Sequence, residues 1–268
     1  MTPPGPAKRA ALASLCATPA LMLAGGCALL VGNVDGTKVF AGVDASTDGR
    51  ARTGDAGPSP CLEKHTFCDD FDHETTLGAD WSSVNGPLRA YITMDDQESV
   101  SPPNSLHVTV PAAAECNASL TETLQGPITS LHCEVDLRVD SEAEGGTANV
   151  INFGFSAGGP YGFGFAVGAM TQLSAGVFYD GGSVGRIGNA PAPPLGQWTH
   201  LTLVATPPTG EASLSYGNPA FTEAMLTGLP LVPSDDDGVQ VTLGISSPFN
   251  VVSPIDIHFD NFWCDVTP

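Results

Sequence analysis

Acidic side chains occur with two different spacings in this chain of 268 residues. Glu134, Asp136 and Arg138 are separated by single apolar residues, which is the period of two expected of a strand with one buried face. Asp235-Asp-Asp-Gly238 instead places three carboxylates in succession. Such a run can supply oxygen ligands to calcium, but it is more typical of a charged hairpin turn, and we favour the turn. The alternation of Glu134, Asp136 and Arg138 with apolar residues predicts an ordinary strand whose polar side chains face solvent.

Residues 1–27 have the composition of an export signal. Lys8-Arg9 provide the positive charge, and Ala10–Leu23 provide an apolar segment too short to span a bilayer comfortably. Leu23-Ala24-Gly25-Gly26-Cys27 resembles the lipobox of bacterial lipoproteins, although Ala24 stands where that pattern has leucine. We predict cleavage before Cys27 and its lipidation, which would hold the chain in the bacterial cell envelope. Simple cleavage and secretion is the alternative.

Residues 28–60 are predicted to form a flexible tether. Asp44–Pro60 contains no large apolar residue, so this stretch cannot bury enough surface to offset the entropy lost on ordering. The folded domain is therefore expected to cover residues 61–268.

The exported part contains cysteines at positions 61, 68, 116, 133 and 264. An oxidising compartment favours disulfides, and an odd number of thiols leaves at least one without a partner in the same domain. Cys116 and Cys133 flank two strand-like segments, and we predict that they close a short loop. If the first and last strands are neighbours, Cys264 can reach Cys68 or Cys61. We favour Cys68–Cys264, with Cys61–Cys68 as the alternative.

Composition limits both the fold and the partner. Helical patterns are scarce, whereas 31 Gly and 23 Pro separate many short apolar runs, a combination typical of an all-β chain. Roughly ten to twelve alternating segments can be recognised, which predicts a two-sheet antiparallel β-sandwich or jelly roll. A formal charge of −20 repels phosphates and anionic headgroups, so we expect no nucleic-acid partner, and membrane contact only through a lipid anchor.

The last segment, Ile255–Val266, is expected to be a strand that lies beside the first one. Its apolar residues occupy odd positions up to Phe259 and even positions from Phe262 onward. A shift of one residue would turn all following side chains to the other face unless a bulge absorbs it. We therefore predict a bulge near Asp260-Asn261.

Four segments resemble parts of the concanavalin A-like lectin and glucanase superfamily, which includes laminin-G-like jelly rolls. Phe67-Cys-Asp-Asp-Phe-Asp72, followed by Trp81, resembles the opening of these domains, and Phe259-Asp-Asn-Phe-Trp263 is similar to their final strand. Leu195–Val204 resembles the Gly-x-Trp-x-His strand of laminin-G-like members, and Ser101–His107 resembles a segment near their start. The order and spacing of these segments imply the same fold for most of residues 66–266.

The superfamily includes glucan hydrolases, so the resemblance raises the question of catalysis. It implies a strand reading Glu-x-Asp-x-x-Glu, with nucleophile and acid/base carboxylates on one face. The nearest run here is Glu134-Val-Asp-Leu-Arg-Val139, and Val139 at the third acid position cannot carry a proton. Glu134 is the one catalytic candidate that remains, and we favour a domain without catalytic activity.

The resemblance also implies a calcium ion where the chain ends of the domain meet. Asp70 and Asp260 match the ligand positions, with Asp69 as a possible helper. Calcium requires six to eight oxygen ligands from separate segments. The alternative is that these aspartates cap turns, and structural Ca²⁺ is the one cofactor that the sequence suggests.

Exposed aromatic rings would be the most useful residues for sugar binding, because planar rings match the apolar faces of pyranoses. Trp81, Tyr91, Tyr161 and Tyr179 are the candidates, although aromatic residues of a sandwich usually lie in its core. The sequence favours an exported, envelope-anchored lectin-like domain that binds glycan or another surface partner. The alternatives are a divergent glycan hydrolase or lyase and a purely structural surface protein.

Overall fold

The computed structural model describes residues 59–73, 76–86, 91–112, 116–141, 146–154, 161–168, 172–179, 182–189, 191–209, 211–217, 220–226, 238–249 and 251–268. These residues belong to one compact unit, Arg50–Pro268. The predictions of an export signal, of Cys27 lipidation and of a tether up to residue 58 lie outside the described residues. Asp235-Asp-Asp, with its predicted turn, also lies outside them.

Alternation of apolar and polar residues produces strands throughout this part of the chain. The strands are β1 (Phe67–Asp69), β2 (Ser83–Asn85), β3 (Ile92–Asp95), β4 (Ser105–Val110), β5 (Ala118–Leu124), β6 (Ser130–Ser141), β7 (Thr147–Gly154), β8 (Tyr161–Gly168), β9 (Gln172–Tyr179), β10 (Gly182–Asn189), β11 (Trp198–Thr206), β12 (Glu211–Gly217), β13 (Ala220–Leu226), β14 (Val239–Phe249) and β15 (Ile255–Thr267). Two 3-10 turns, Pro60–Leu62 and Pro207–Thr209, accompany them. No helix in the described ranges has the length and hydropathy of a membrane span.

The strands form two antiparallel sheets. The eight-stranded sheet has the order β13-β12-β11-β6-β15-β4-β3, with β1 also paired to β15. The seven-stranded sheet has the order β10-β9-β8-β7-β14-β5-β2. The predicted fold class, an all-β two-sheet sandwich, is confirmed.

The core lies between the two sheets. On β6 every second residue from Leu131 to Val139 is buried, and the polar residues between them are half-buried on the outer face. This is the alternation that the sequence predicted for Glu134 and its neighbours. Fully buried rings such as Phe71, Phe153 and Phe259 fill the interior, and each contributes about 1.5–3 kcal/mol of transfer free energy.

The first and last strands are neighbours, as predicted. Phe67 lies opposite Cys264, and Asp69 lies opposite Phe262. The predicted bulge is also confirmed. Asp260 and Trp263 on β15 face Asp136 and Glu134 on β6, so β15 uses three steps where β6 uses two. Asn261 absorbs the extra residue with a left-handed backbone, φ 53°, a conformation that Asn adopts more easily than most residues.

The favoured disulfide pairing is wrong, whereas the alternative Cys61–Cys68 is confirmed. The structure contains Cys61–Cys68 and Cys133–Cys264, whereas we expected Cys68–Cys264 and Cys116–Cys133. Cys264 lies directly opposite Cys133 on the adjacent strand β6, and both side chains are fully buried. Cys68 instead lies opposite Trp263. Because Cys68 is one position away from the residue that lies opposite Cys264, its side chain points to the other face of β1 and cannot reach Cys264.

Candidate functional site

The outer face of the eight-stranded sheet carries histidines and carboxylates from five adjacent strands. The histidines are His107, His132, His200 and His258. Each stands at an outward position between core residues of its strand. Because neighbouring strands are only about 4.8 Å apart, side chains that are distant in sequence come into contact here. Two clusters result.

The first cluster, the His200 triad, consists of His200, Asp136 and Glu134. The Nδ1 atom of His200 lies 2.9 Å from an Asp136 oxygen, and its Nε2 atom lies 3.1 Å from a Glu134 oxygen. The hydrogen bond to Asp136 is the main reason that the pKa of His200 is raised above its usual value, with burial acting in the opposite direction. Glu134, the catalytic candidate, therefore shares one imidazole with Asp136.

We expect His200 to titrate above the pKa of an unperturbed histidine, about 6.5. Because its folded-state pKa is raised, its stabilising contribution is complete below pH 6.5 and is lost as the pH rises through the folded-state value. This contribution is small, since the His200 side chain is 52% exposed and exposed pairs are screened. NMR titration of the ring protons is the measurement. Asp136→Asn should lower the pKa of His200, whereas Asp140→Asn should leave it unchanged; equal effects would contradict the assignment.

The second cluster, the His107–His258 cluster, joins β3, β4, β6 and β15. His107 and His258 lie opposite each other on β4 and β15, with their rings stacked at 4.3 Å and 8°. The Nε2 atom of His107 lies 2.5 Å from Asp256. His258 is flanked by Asp140 at 3.2 Å and Asp95 at 3.5 Å.

The two stacked imidazoles have opposite pKa shifts. The hydrogen bond to Asp256 raises the pKa of His107, whereas burial, followed by the neighbouring His107, lowers the pKa of His258. The same hydrogen bond lowers the pKa of Asp256. Beside them, Arg138 contacts Asp140 at 2.9 Å and also pairs with Glu98. The cluster can therefore hold one charged and one neutral imidazole within a mostly acidic environment.

The predicted calcium ligands are engaged in hydrogen bonds. Asp260 is fully buried, and its oxygens accept from the backbone N–H groups of Val100, Ser101 and Asn261 and from the Ser101 hydroxyl. Asp70 accepts from the Ser59 hydroxyl and from the Asp72 N–H at 3.2 Å. A carboxylate has about four acceptor positions, so a cation at Asp260 would have to displace donors. Calcium at this place stays a prediction.

Trp81, a candidate sugar platform, belongs to the core instead. It is 6% exposed, it stacks on Phe262 at 5.5 Å, and its Nε1 donates to Asp69 at 2.6 Å. Tyr91 is half-buried and packs against the core. Tyr161 and Tyr179 begin β8 and end β9, and their side chains lie outside the described residues.

The outer face of the seven-stranded sheet has a different chemistry. One row in register consists of Ser83, Thr121, Thr242, Asn152, Gly164, Ser174 and Ile187. The next row consists of Thr123, Gln240, Gly154, Gly162, Gly176 and Gly185. None of these thirteen positions carries a charge. Four successive glycines across β7 to β10 span about 14 Å at the usual strand spacing.

The glycine row is a feature that the sequence analysis did not identify. Gly162-Phe-Gly-Phe in β8 was visible as an alternation of small and large residues, but only the register aligns it with Gly154 and Gly176. Glycine in a strand interior weakens the strand and often marks a place where a ligand or another backbone approaches closely.

No protein-family model and no curated protein sequence matches the chain. Its fold matches solved structures. An endo-β-1,4-glucuronan lyase from the fungus Trichoderma reesei aligns with a TM-score of 0.55 and 12% identity over 76% of this chain and 96% of the lyase. A cellulose-induced protein aligns with a TM-score of 0.53 and 12% identity over 75% of this chain and 97% of that protein. A sialidase aligns with a TM-score of 0.51 and 11% identity over 76% of this chain and 19% of the sialidase. At these identities the matches establish a jelly-roll fold.

Proposed function

We propose that the chain is an exported lectin-like sandwich that binds a glycan across the outer face of its seven-stranded sheet. The observation that carries the proposal is the glycine row from Gly154 to Gly185, beside a row in register that includes the polar residues Ser83, Thr121, Thr242 and Asn152. A linear glycan offers hydroxyl groups at regular intervals, which amides and hydroxyls can bind, and the missing side chains leave room for the rings.

The charge of the chain favours a neutral glycan. With a formal charge of −20, the protein repels a polymer of uronic acids, and this repulsion acts over about 10 Å at moderate ionic strength. The two rows described above contain neither lysine nor arginine that could offset it. The similarity to lyase and sialidase folds supports a glycan ligand in general, and the electrostatics favour an uncharged one.

Export, a lipid anchor at Cys27 and a structural calcium ion belong to the same proposal. The disulfides Cys61–Cys68 and Cys133–Cys264 support export, since such bonds persist mainly in oxidising compartments. The anchor would place the sandwich at the bacterial cell envelope, with simple secretion as the alternative.

A second candidate function is glycan cleavage. It is favoured by the alignment over 96% of the glucuronan lyase chain. The two histidine–carboxylate clusters described above, however, lie on the outer face of the eight-stranded sheet, and Glu134 and Asp136 there contact the same imidazole. Formation of unsaturated products from uronate oligosaccharides, measured by ultraviolet absorbance, would support this candidate over simple binding.

We expect Gly154→Leu to reduce glycan affinity at least 10-fold without weakening the fold. A Cβ at position 154 would meet Gln240 at 3.9 Å, an ordinary contact, so the side chain can extend outward over the row. Gly217→Leu is the matched control, because a Cβ there meets nothing within 4 Å and β12 belongs to the other sheet. A glycan array would first identify a ligand, and calorimetry would then compare the three proteins.

Two results would contradict the proposal. No signal on an array of neutral and acidic glycans would favour a purely structural protein. Equal affinity of wild type and Gly154→Leu for an identified glycan would place its binding site elsewhere.

A further inference from the structure

We propose that His107, Asp256 and His258 bind a divalent transition-metal ion of the zinc class on the outer face of the eight-stranded sheet. Each of the three residues offers one ligand atom, and these atoms lie within 4.8 Å of one another. Within the described ranges, this is the one group of three or more His, Cys, Asp or Glu residues with that geometry. The site is separate from the proposed glycan surface and from the predicted calcium ligands.

The strands place these ligands by a simple rule. Asp256 and His258 are two residues apart on β15, so their side chains project from the same face. His107 lies directly opposite His258 on β4, and directly opposite side chains are about 4.5–5.5 Å apart at Cβ. The result is a ligand triangle on rigid, hydrogen-bonded strands. Because β4 and β15 each have a paired strand on both sides, the three ligand residues are held in place and need to move little to bind an ion.

The outer ring nitrogens are already oriented by polar neighbours. The Nδ1 atom of His258 lies 3.5 Å from Asp95, and the Nδ1 atom of His107 lies 3.5 Å from the Thr93 hydroxyl. Metal-binding histidines commonly donate their second ring N–H to a carboxylate or another oxygen, which fixes the tautomer and the ring orientation. His107 presents its Nε2 atom to Asp256, whereas the Nε2 atom of His258 lies 3.2 Å from Asp140 and would exchange this contact for the metal ion.

The local charge favours a cation. Asp95, Asp140 and Asp256 lie against the two rings. Arg138 pairs with Asp140 and with Glu98. A divalent ion would offset this excess of negative charge. Two imidazole nitrogens and one carboxylate are typical of zinc and related ions, whereas calcium prefers oxygen ligands alone. Three protein ligands would also leave a coordination position open to water or to a ligand.

The His200 triad supplies a matched control. It contains one histidine and two carboxylates on the same face. Its three ligand atoms do not all lie within 4.8 Å of one another, whereas those of His107, Asp256 and His258 do. If zinc binds only because the surface is acidic, loss of His200 should matter as much as loss of His107.

The test is calorimetric titration of the full chain with Zn²⁺, and absorbance titration with Co²⁺ as a spectroscopic probe. We expect one ion per chain, a loss of affinity of at least 10-fold in His107→Ala and in Asp256→Asn, and unchanged affinity in His200→Ala. His107 and Asp256 are chosen because their side chains are 26% and 37% exposed, so their replacement should leave the fold intact, which circular dichroism would check.

Three outcomes would overturn the proposal. They are no Zn²⁺ binding by the wild type, equal loss of affinity in the His200→Ala control, and full affinity in both His107→Ala and Asp256→Asn. Cobalt should also give absorption bands that report nitrogen ligands in the wild type and in His200→Ala, at concentrations where His107→Ala gives much weaker bands.

Discussion

Replacing both Cys133 and Cys264 by alanine should lower the free energy of unfolding by about 5 kcal/mol, the largest effect that we expect of any change in this chain. The bond connects residues 131 positions apart, and the entropy that a crosslink removes from the unfolded chain grows with the logarithm of the loop length. Equilibrium unfolding in urea would measure the loss. The side chains are fully buried, and alanine leaves no unsatisfied polar group in their place.

The second disulfide provides the control. Cys61 and Cys68 are only 7 positions apart, so the same relation gives about 2.4 kcal/mol for a double alanine variant. The ratio of the two losses matters more than either value, because both variants are compared with the same wild type. Equal losses, or a smaller loss for the Cys133–Cys264 pair, would show that the long crosslink does not act mainly by restricting the unfolded chain.

The same pair of cysteines shows which parts of the structure could be predicted from sequence. The alternation along Glu134, Asp136 and Arg138 gave the strand and its buried face, because side-chain direction in a strand depends only on neighbours in sequence. The parity change after Phe259 gave the bulge for the same reason. These features are local, and the structure confirms them.

Features that depend on register could not be predicted in this way. The sequence indicated that β15 lies beside β1, but an interior strand has a neighbour on each side, and the partner of Cys264 lies on β6. His107 and His258 are 151 positions apart in the sequence, and only the pairing of β4 with β15 brings them together. The glycine row is similar, since it runs across four strands. Sequence periodicity identifies the faces of strands, whereas sites are formed between strands.

Trp81 illustrates a further limit. Its residue type suits either a sugar platform or a core position, and its sequence neighbours are polar. The deciding contacts come from distant residues: Phe262 stacks on the indole, and Asp69 accepts its N–H. A short polar segment can therefore bury a large ring when other strands supply what it lacks, here β15 the apolar surface and β1 the hydrogen-bond partner.

The free energy of unfolding of the wild type, measured relative to that of an Asp260→Asn variant, should fall by about 4 kcal/mol as the pH rises from 4 to 8. Burial raises the pKa of Asp260 to about 7, although three backbone N–H groups favour its ionised form. The folded-state pKa thus lies above the unfolded value of about 3.9. The stabilisation is complete below pH 4 and is lost as the pH rises through 7, because folding then requires an ionised carboxyl in the interior.

Asparagine at position 260 cannot ionise, so the difference between wild type and variant isolates this one group from the general repulsion of a chain with a charge of −20. Urea unfolding of both proteins at several pH values gives the difference directly. Asp80→Asn, at an exposed position, should leave the pH profile unchanged. A difference between wild type and Asp260→Asn that stays constant from pH 4 to 8 would mean that Asp260 is ionised throughout this range. In that case the donors from Val100, Ser101 and Asn261 would outweigh the cost of burying the charge.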